Sequence, residues 1–255
     1  MIESATTQQQ RQLKILLIGD DCIDTYVYGT VDRISPEAPV PVFEPKYEIV
    51  KDGMAGNVAK NLEALGCDVQ FLHGTVSKKK RIIDERSKQQ LIRIDNDTVS
   101  DPITIDSELP DIYNAIVISD YDKGTVSYEL VEDLRSRFKG PIFIDTKKTD
   151  LARFNGCFVK INELEHKRAV SLPDKKWLVV TYGANGAVWN DWVFPAEIVG
   201  DVTDVTGAGD TFLASFAYEF LIQEYVQAAV KFAIKASGVT VQHVGVYAPR
   251  LEEIK

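Results

Sequence analysis

The stretch DVTGAGDTF at 204–212, continued by LASFAYEFLI to 222, decides how this chain is read. Gly207, Ala208 and Gly209 make a small bare turn, and the residues after it carry apolar side chains at helical spacing, so a helix begins here. The first turn of a helix presents unpaired backbone N–H groups and the positive end of the helix dipole, a seat suited to phosphate. Asp210 places a carboxylate in that same turn. Taken alone it complements the dipole; beside a bound phosphoryl group it becomes a base for an attacking hydroxyl.

Outward from this turn, short apolar runs recur: KILLIGD at 14–20, AIVISD at 115–120, PIFIDT at 141–146 and WLVVTYG at 177–183. None alternates strictly, which predicts strands covered on both faces of a parallel sheet. Helical patterns lie between and after them, at 55–66, 127–138, 209–222 and 225–241, so the chain reads as βαβ units. Two segments, about 27–50 and 79–95, alternate polar and apolar residues instead and predict a small antiparallel flap with one wet face. Pro36, Pro39, Pro41 and Pro45 fit edge strands or an irregular entry in the first of these rather than a central strand.

With 255 residues, 45% of them hydrophobic, the chain supports one large α/β domain over 1–255 better than two small ones. Thirty-eight acidic against 29 basic side chains, a net charge of −9, argue against nucleic acid or an anionic membrane as partner and leave small-molecule chemistry. Cys22, Cys67 and Cys157 are far apart without CxxC spacing, which suggests neither a disulfide framework nor a zinc site. MIESATTQQQRQ at 1–12 has no signal-peptide core, and no apolar run is long enough to cross a bilayer. A cytoplasmic protein is expected.

Asp20, Asp120, Asp145 and Thr181 end four of the expected strands, and in open α/β sheets the ligand crevice lies at the carboxyl ends of strands. Any one of them alone reads equally as a helix cap. Neither a Walker A loop nor a GxGxxG at the first βα junction is present. TYGANG at 181–186 is a second glycine turn where a nucleotide can approach backbone.

Together these motifs resemble the ribokinase-like (PfkB-type) carbohydrate kinases over nearly the whole chain. The resemblance implies a three-layer α/β/α fold with a mostly parallel central sheet and a small β-flap as lid. It makes Asp210 the general base and Gly207, Ala208 and Gly209 the anion hole, and places Asp204 where many members hold a monovalent cation. GDDCIDTYVYGTVDRISPEAPVPV at 19–42, SDYDKG at 119–124 and KQQLIRID at 88–95 are similar to D-glycero-β-D-manno-heptose 7-phosphate kinases, which phosphorylate the anomeric oxygen with ATP. By that similarity Asp24, Gly53 and Asn57 contact sugar hydroxyls, and Lys147 of DTKK contacts phosphate or substrate. NELE at 162–165 supplies Asn162 at the nucleotide and Glu165 to Mg²⁺ through water; Thr181, Gly183 and Gly186 line the nucleotide. ATP, Mg²⁺ and, as a candidate, K⁺ are the implied cofactors, a sugar phosphate the implied partner, and a homodimer through the lid the implied assembly. Lys80, Arg81 and Arg93 of the flap read either as contacts to a substrate phosphate or as ordinary solvated charges.

The chain departs from the family pattern in named places. Met54, Asp122 and Thr146 stand where glycine, glycine and proline are usual, and the chain is shortened after HGTVS at 73–77 and after NELEHKRAV at 162–170. Some relatives carry a nucleotidyltransferase domain after the kinase; no HxGH element occurs here, and kinase chemistry alone is expected. Two alternatives stand beside the heptose reading: a PfkB-type kinase for another sugar or a nucleoside, and a non-catalytic binder of sugar phosphate or nucleotide on a trimmed kinase fold.

Overall fold

The computed structural model describes residues 12–105, 111–196 and 200–254, so nearly all of the polar 1–12 stretch lies outside the described residues. β1 (Lys14–Gly19) runs into β2 (Asp21–Ile34), which turns back as β3 (Pro41–Met54). α1 (Ala55–Ala64), β4 (Asp68–His73), β5 (Ser77–Asp84), β6 (Gln90–Asn96) and β7 (Ala115–Asp120) follow. Next come α2 (Tyr128–Arg137), β8 (Ile142–Thr146), β9 (Phe158–Asn162), α3 (Glu163–Arg168) and β10 (Leu178–Thr181). The hairpin β11 (Ala187–Trp189) and β12 (Trp192–Phe194) precedes α4 (Ala208–Gln223), α5 (Val226–Thr240) and α6 (Leu251–Ile254).

The larger sheet has the order β12-β11-β10-β9-β8-β7-β1-β4. β4, β1, β7, β8, β9 and β10 are parallel, and the β11–β12 hairpin closes one edge antiparallel. The apolar runs are buried on both faces, as a strand without alternation must be. On one face Ile15, Leu17, Val117 and Phe143 pack with Val58 and Leu62 of α1, Leu213 and Phe216 of α4 and Val230 of α5. On the other, Leu16, Ile18, Ile116 and Ile144 pack with Leu130 and Leu134 of α2 and with Phe154. The result is the expected three-layer α/β/α arrangement. Chain order reverses about β1, which lies between β4 and β7, and such a switch point opens a ligand crevice at the carboxyl ends of the strands.

The flap differs from its expectation. Its order is β3-β2-β5-β6, and β2 pairs with β5 in parallel, so the sheet is mixed rather than antiparallel. The reason is topological: β2 continues β1 and β5 follows β4, and since β1 and β4 are parallel neighbours, both strands enter the flap from the same end. The flap is also longer than 27–50 and 79–95, since β2 and β3 reach Asp21 and Met54 at the sheet's edge. Pro41 and Pro45 lie on β3, an edge strand as their missing N–H requires, with a register shift beside Pro45.

Candidate active site

Asp210 lies in the first turn of α4, only 6% exposed. Both of its oxygens are held: Asn57 of α1 donates Nδ2–H to Oδ2 at 2.8 Å, and the Tyr121 hydroxyl donates to Oδ1 at 2.8 Å. Burial pushes its carboxyl up to about 6, against the opposing pull of those two donors. Burial likewise holds the Tyr121 hydroxyl well above its ordinary range. Gly207 precedes the helix at φ 81°, and a Cβ there would stand 2.8 Å from Asn57 Nδ2, so glycine alone fits the turn. The Ala208 N–H turns onto the Val205 carbonyl at 3.3 Å, whereas those of Gly209 and Asp210 belong to the first turn, which has no intrahelical acceptor.

Tyr121 owes its position to Asp20. That buried carboxylate at the end of β1 accepts the backbone N–H groups of Tyr121, Lys123 and Thr125 at 2.7, 3.0 and 3.3 Å and pins the 121–125 loop. Asp120 is a second anchor: Thr146 donates Oγ1–H at 2.6 Å and Asp122 its N–H at 3.0 Å, while burial pushes the carboxyl up to about 6. Thr146 thus does polar work that proline cannot. Of the four strand-end residues, Asp20 and Asp120 fix loops, and Thr181 stands beside Asn162 in register. Asp145 meets Lys160 of the adjacent β9 at 2.6 Å, a pair buried beside the α4 turn.

Asn162 and Glu165 form a capping box on α3: Asn162 Oδ1 accepts the Glu165 N–H at 2.9 Å and Glu165 Oε2 accepts the Asn162 N–H at 2.7 Å. Lys147 Nζ donates to Glu165 Oε1 and lies 5.2 Å from the Tyr121 ring centroid. Burial disfavours the Lys147 charge, but Asp145 and Glu165 outweigh it and hold the ammonium above its ordinary range. Thr181 is the register neighbour of Asn162. After it the chain turns tightly, with the Tyr182 N–H donating to the Gly186 carbonyl at 2.8 Å. Gly183 and Gly186 take φ 55° and 89° in that turn, and open space surrounds the Gly183 Cβ position. Asp204 accepts the Thr206 N–H and hydroxyl at 2.9 and 2.7 Å and the Gly245 N–H at 2.8 Å, so it clasps the loop after α5 to the turn before α4.

On the flap side, Asp24 is 4% exposed and takes a forked ion pair from Arg81, whose Nε lies 3.0 Å from Oδ1 and Nη2 3.0 Å from Oδ2. Register places Lys51, Asp24 and Lys79 in one row and Tyr26, Arg81 and Arg93 in the next on the same face. Lys80, grouped with Arg81 in the sequence, points to the opposite face. Arg93 is spent on Asp95 at 2.8 Å. Gly53 pairs with Cys22, and a Cβ on it would lie 3.8 Å from that of Asp24. Met54 follows at φ 48°, ψ −129°, and Asp122 takes φ 58°. Both departures from glycine therefore keep a backbone that glycine favours, and each carries a strain of about 1–3 kcal/mol.

The donor set suits a magnesium nucleotide better than a metal bound by protein alone. Among the described residues no group of three His, Cys, Asp or Glu converges on one point. Glu165, its oxygens already accepting from Lys147 and Asn162, suits the hydrated Mg²⁺ of a triphosphate, which keeps waters between itself and carboxylates.

An open sheet, a flap beside its strand ends and a buried acid in an anion-seating turn define the ribokinase-like fold, and solved structures bear this out. Arabidopsis thaliana ribokinase complexed with ribose and ATP superposes with a TM-score of 0.69 at 14% identity, covering 95% of this chain and 97% of that one. Phosphofructokinase-2 from Escherichia coli, in complex with substrates and products, gives 0.69 at 15% with the same coverage. Residues 156–254 match the pfkB family carbohydrate kinase model. Bifunctional protein HldE of Nitratiruptor sp. is 31% identical over 299 aligned positions, spanning 95% of this chain and 64% of that protein. HldE of Hyphomonas neptunium is 31% identical over 95% of this chain and 63% of its own. Residues 156–254 are therefore similar to the pfkB carbohydrate kinases, the fold is ribokinase-like, and the chain spans about 64% of the length of the curated relatives it matches. An alignment of 299 positions exceeds the 255 residues present, so those relatives carry residues without a counterpart here, as the shortened motifs predict.

Asp210, Asn57 and Gly207 form one connected constellation, Asp24 and Gly53 stand together on the flap, and Lys147, Asn162 and Glu165 form a further group reached through Tyr121. The roles of Tyr121 and Lys160 went unread in the sequence. Lys160 had a usable signal, a lysine inside the apolar run FVKIN at 158–162. Tyr121 had none beyond its place after a strand.

Proposed function

We propose that this chain is an ATP-dependent carbohydrate kinase whose acceptor is a sugar phosphate, with the anomeric hydroxyl of a heptose 7-phosphate as the favoured acceptor, and that residues 1–255 act as one kinase domain. The carrying observation is the buried Asp210 in the first turn of α4, aimed by Asn57 and Tyr121. The acceptor sugar lies under the flap against Asp24, Gly53 and Asn57. Nucleotide lies along Asn162, Thr181, Gly183 and Gly186, with Lys147 beside its phosphates. Glu165 would help hold the hydrated Mg²⁺ that accompanies ATP, and that ion would supply charge neutralisation at the phosphates. Asp210 in its ionised form takes the proton of the acceptor hydroxyl as that oxygen bonds to the γ-phosphorus. The backbone N–H groups of Gly209 and Asp210 face the oxygens of the group in transit, a fixed electrostatic contribution of the kind that dominates phosphoryl transfer, while that of Ala208 is already turned onto the Val205 carbonyl.

Asp204 can serve a monovalent cation only in addition to its three donors. We also propose a cytoplasmic homodimer joined through the lid, because Val50, Ile92 and Ile94 share one flap face and are 58, 54 and 51% exposed. Sedimentation at twice the chain mass at micromolar concentration supports the dimer; a monomer throughout contradicts it.

Two observations favour a second reading, a non-catalytic binder: Asp24 is already neutralised by Arg81, and Met54 fills a position that glycine would leave open. Coupled ADP release with a panel of sugars, sugar phosphates and nucleosides separates the two. The kinase reading expects acceptor-dependent ADP with at least one sugar phosphate and a new anomeric phosphate resonance by NMR. Binding of ATP without acceptor-dependent ADP from any compound supports the binder.

A further inference from the structure

Lys160 is the least expected charge in the molecule. It sits in the middle of β9 between Val159 and Ile161, is 3% exposed, and its Nζ lies 2.6 Å from Asp145 Oδ2. Burying an ammonium and a carboxylate together is costly, and an apolar pair of similar volume serves stability as well or better. The pair also stands at a particular place. Lys160 Nζ lies 3.0 Å from where a Cβ on Gly209 would be, against the turn that leads into Asp210. An ammonium has three donors, and Asp145 takes one of them. The second oxygen of Asp145, Oδ1, is buried without a hydrogen-bond partner among the described residues, so Lys160 holds the one hydrogen bond this carboxylate makes there, while its charge also favours the Lys147 ammonium.

We propose that Lys160 is a catalytic residue whose ammonium donates to an oxygen of the transferring γ-phosphoryl group, with Asp145 as the positioning residue that holds it. The inference rests on the kinase reading above. In the step, the acceptor oxygen forms its bond to the γ-phosphorus while the bond from phosphorus to the bridging oxygen breaks. ADP leaves with that electron pair, and the acceptor's proton goes to Asp210. Lys160 keeps its protons and supplies a fixed positive charge, strongest in a buried site and needing no rearrangement during the reaction. Gly209 is small because the ammonium occupies the space above it. A lysine here also stabilises the Asp210 carboxylate, and removing it raises the pH at which that group ionises.

The test uses Lys160→Met, Lys160→Arg and the double variant Lys160→Met/Asp145→Asn, which leaves no lone buried charge if the single variant folds poorly. Equilibrium binding of ATP–Mg²⁺ and ADP–Mg²⁺ is measured for each, and turnover for those that fold. The expected result is a roughly tenfold fall in the ATP-to-ADP affinity ratio for both methionine variants and a fall in kcat of about 10²–10³. The acceptor KM stays within about threefold, the acid limb of the kcat profile moves to higher pH, and Lys160→Arg is partly active. An unchanged ATP-to-ADP ratio in the folded double variant overturns the proposal and leaves the pair a structural bridge. Wild-type protein that binds ATP but never releases acceptor-dependent ADP overturns the kinase reading instead, while the binding ratio still reports on Lys160.

Discussion

The strand ends of the central sheet and the inner face of the flap bury their charges differently. At the strand ends Asp210, Asp145 and Lys160 are each at most 7% exposed and locked into short contacts from neighbouring elements. On the flap Asp24 is equally buried, but its partner Arg81 is 16% exposed at the side chain and Lys51 reaches across to the Val246 carbonyl at 3.0 Å. The first region is built for a charge distribution that must not rearrange, as transition-state stabilisation requires. The second holds charges that an incoming sugar phosphate can draw away from each other. On the proposed function, the transfer machinery is set in the protein alone, whereas the acceptor site is completed by its ligand.

That contrast can be broken at several points. Arg81→Met leaves Asp24 buried without its cation, and loss of one partner of such a pair costs about 3–5 kcal/mol. A chain of this size then melts roughly 6–15 °C lower in calorimetry. Arg81→Met/Asp24→Asn recovers most of the loss; if it does not, the ion pair is not the source. Asn57→Ala removes a donor from Asp210 and from the acceptor site together, with kcat expected to fall on the order of 10- to 100-fold in steady-state assays. Tyr121→Phe acts in the same sense and less, about tenfold or below, since Asn57 still holds the other oxygen.

The pH dependence follows from the same network. Asp210 works ionised, so kcat falls as pH drops through about 6, and losing either donor, each of which favours the carboxylate, moves that limb upward. Stability has the opposite sign. The folded chain holds this proton more tightly than the unfolded chain does, so the contribution is fully present below the ordinary value of 3.8 and is lost as pH rises through about 6. Asp210→Asn is therefore expected to melt above wild type at pH 7–8 and to lose that advantage near pH 4. The smallest effect belongs to Met54→Gly. Relief of φ 48° offsets the lost burial of the thioether, so the melting temperature moves by less than about 3 °C while the acceptor KM falls.

Much of this was legible in the sequence because single residues carried it. The α4 turn, the buried strands and α1, α2, α4 and α5 fell where apolar spacing and DVTGAGDTF put them. The parallel β2–β5 pair was not legible, since alternation reports a wet face and says nothing of strand direction. Lys80 was grouped with Arg81 because adjacency hides the two-residue period that turns one inward and the other outward. Tyr121 was invisible because its place depends on Asp20, 101 residues earlier, fixing the loop that carries it. Met54 and Asp122 were seen as departures from glycine, but only the backbone shows that both keep the positive φ glycine would supply.

The central claim is that Asp210 is the base of a phosphoryl transfer. Its most direct test is acceptor-dependent ADP release by wild type and Asp210→Asn, side by side with heptose 7-phosphate and Mg²⁺–ATP, each variant's ATP affinity measured in the same buffer. The account predicts a fall in kcat of about 10²–10⁴ for Asp210→Asn with ATP affinity within a few fold of wild type. Equal rates from the two proteins, with ATP bound by both, would contradict it.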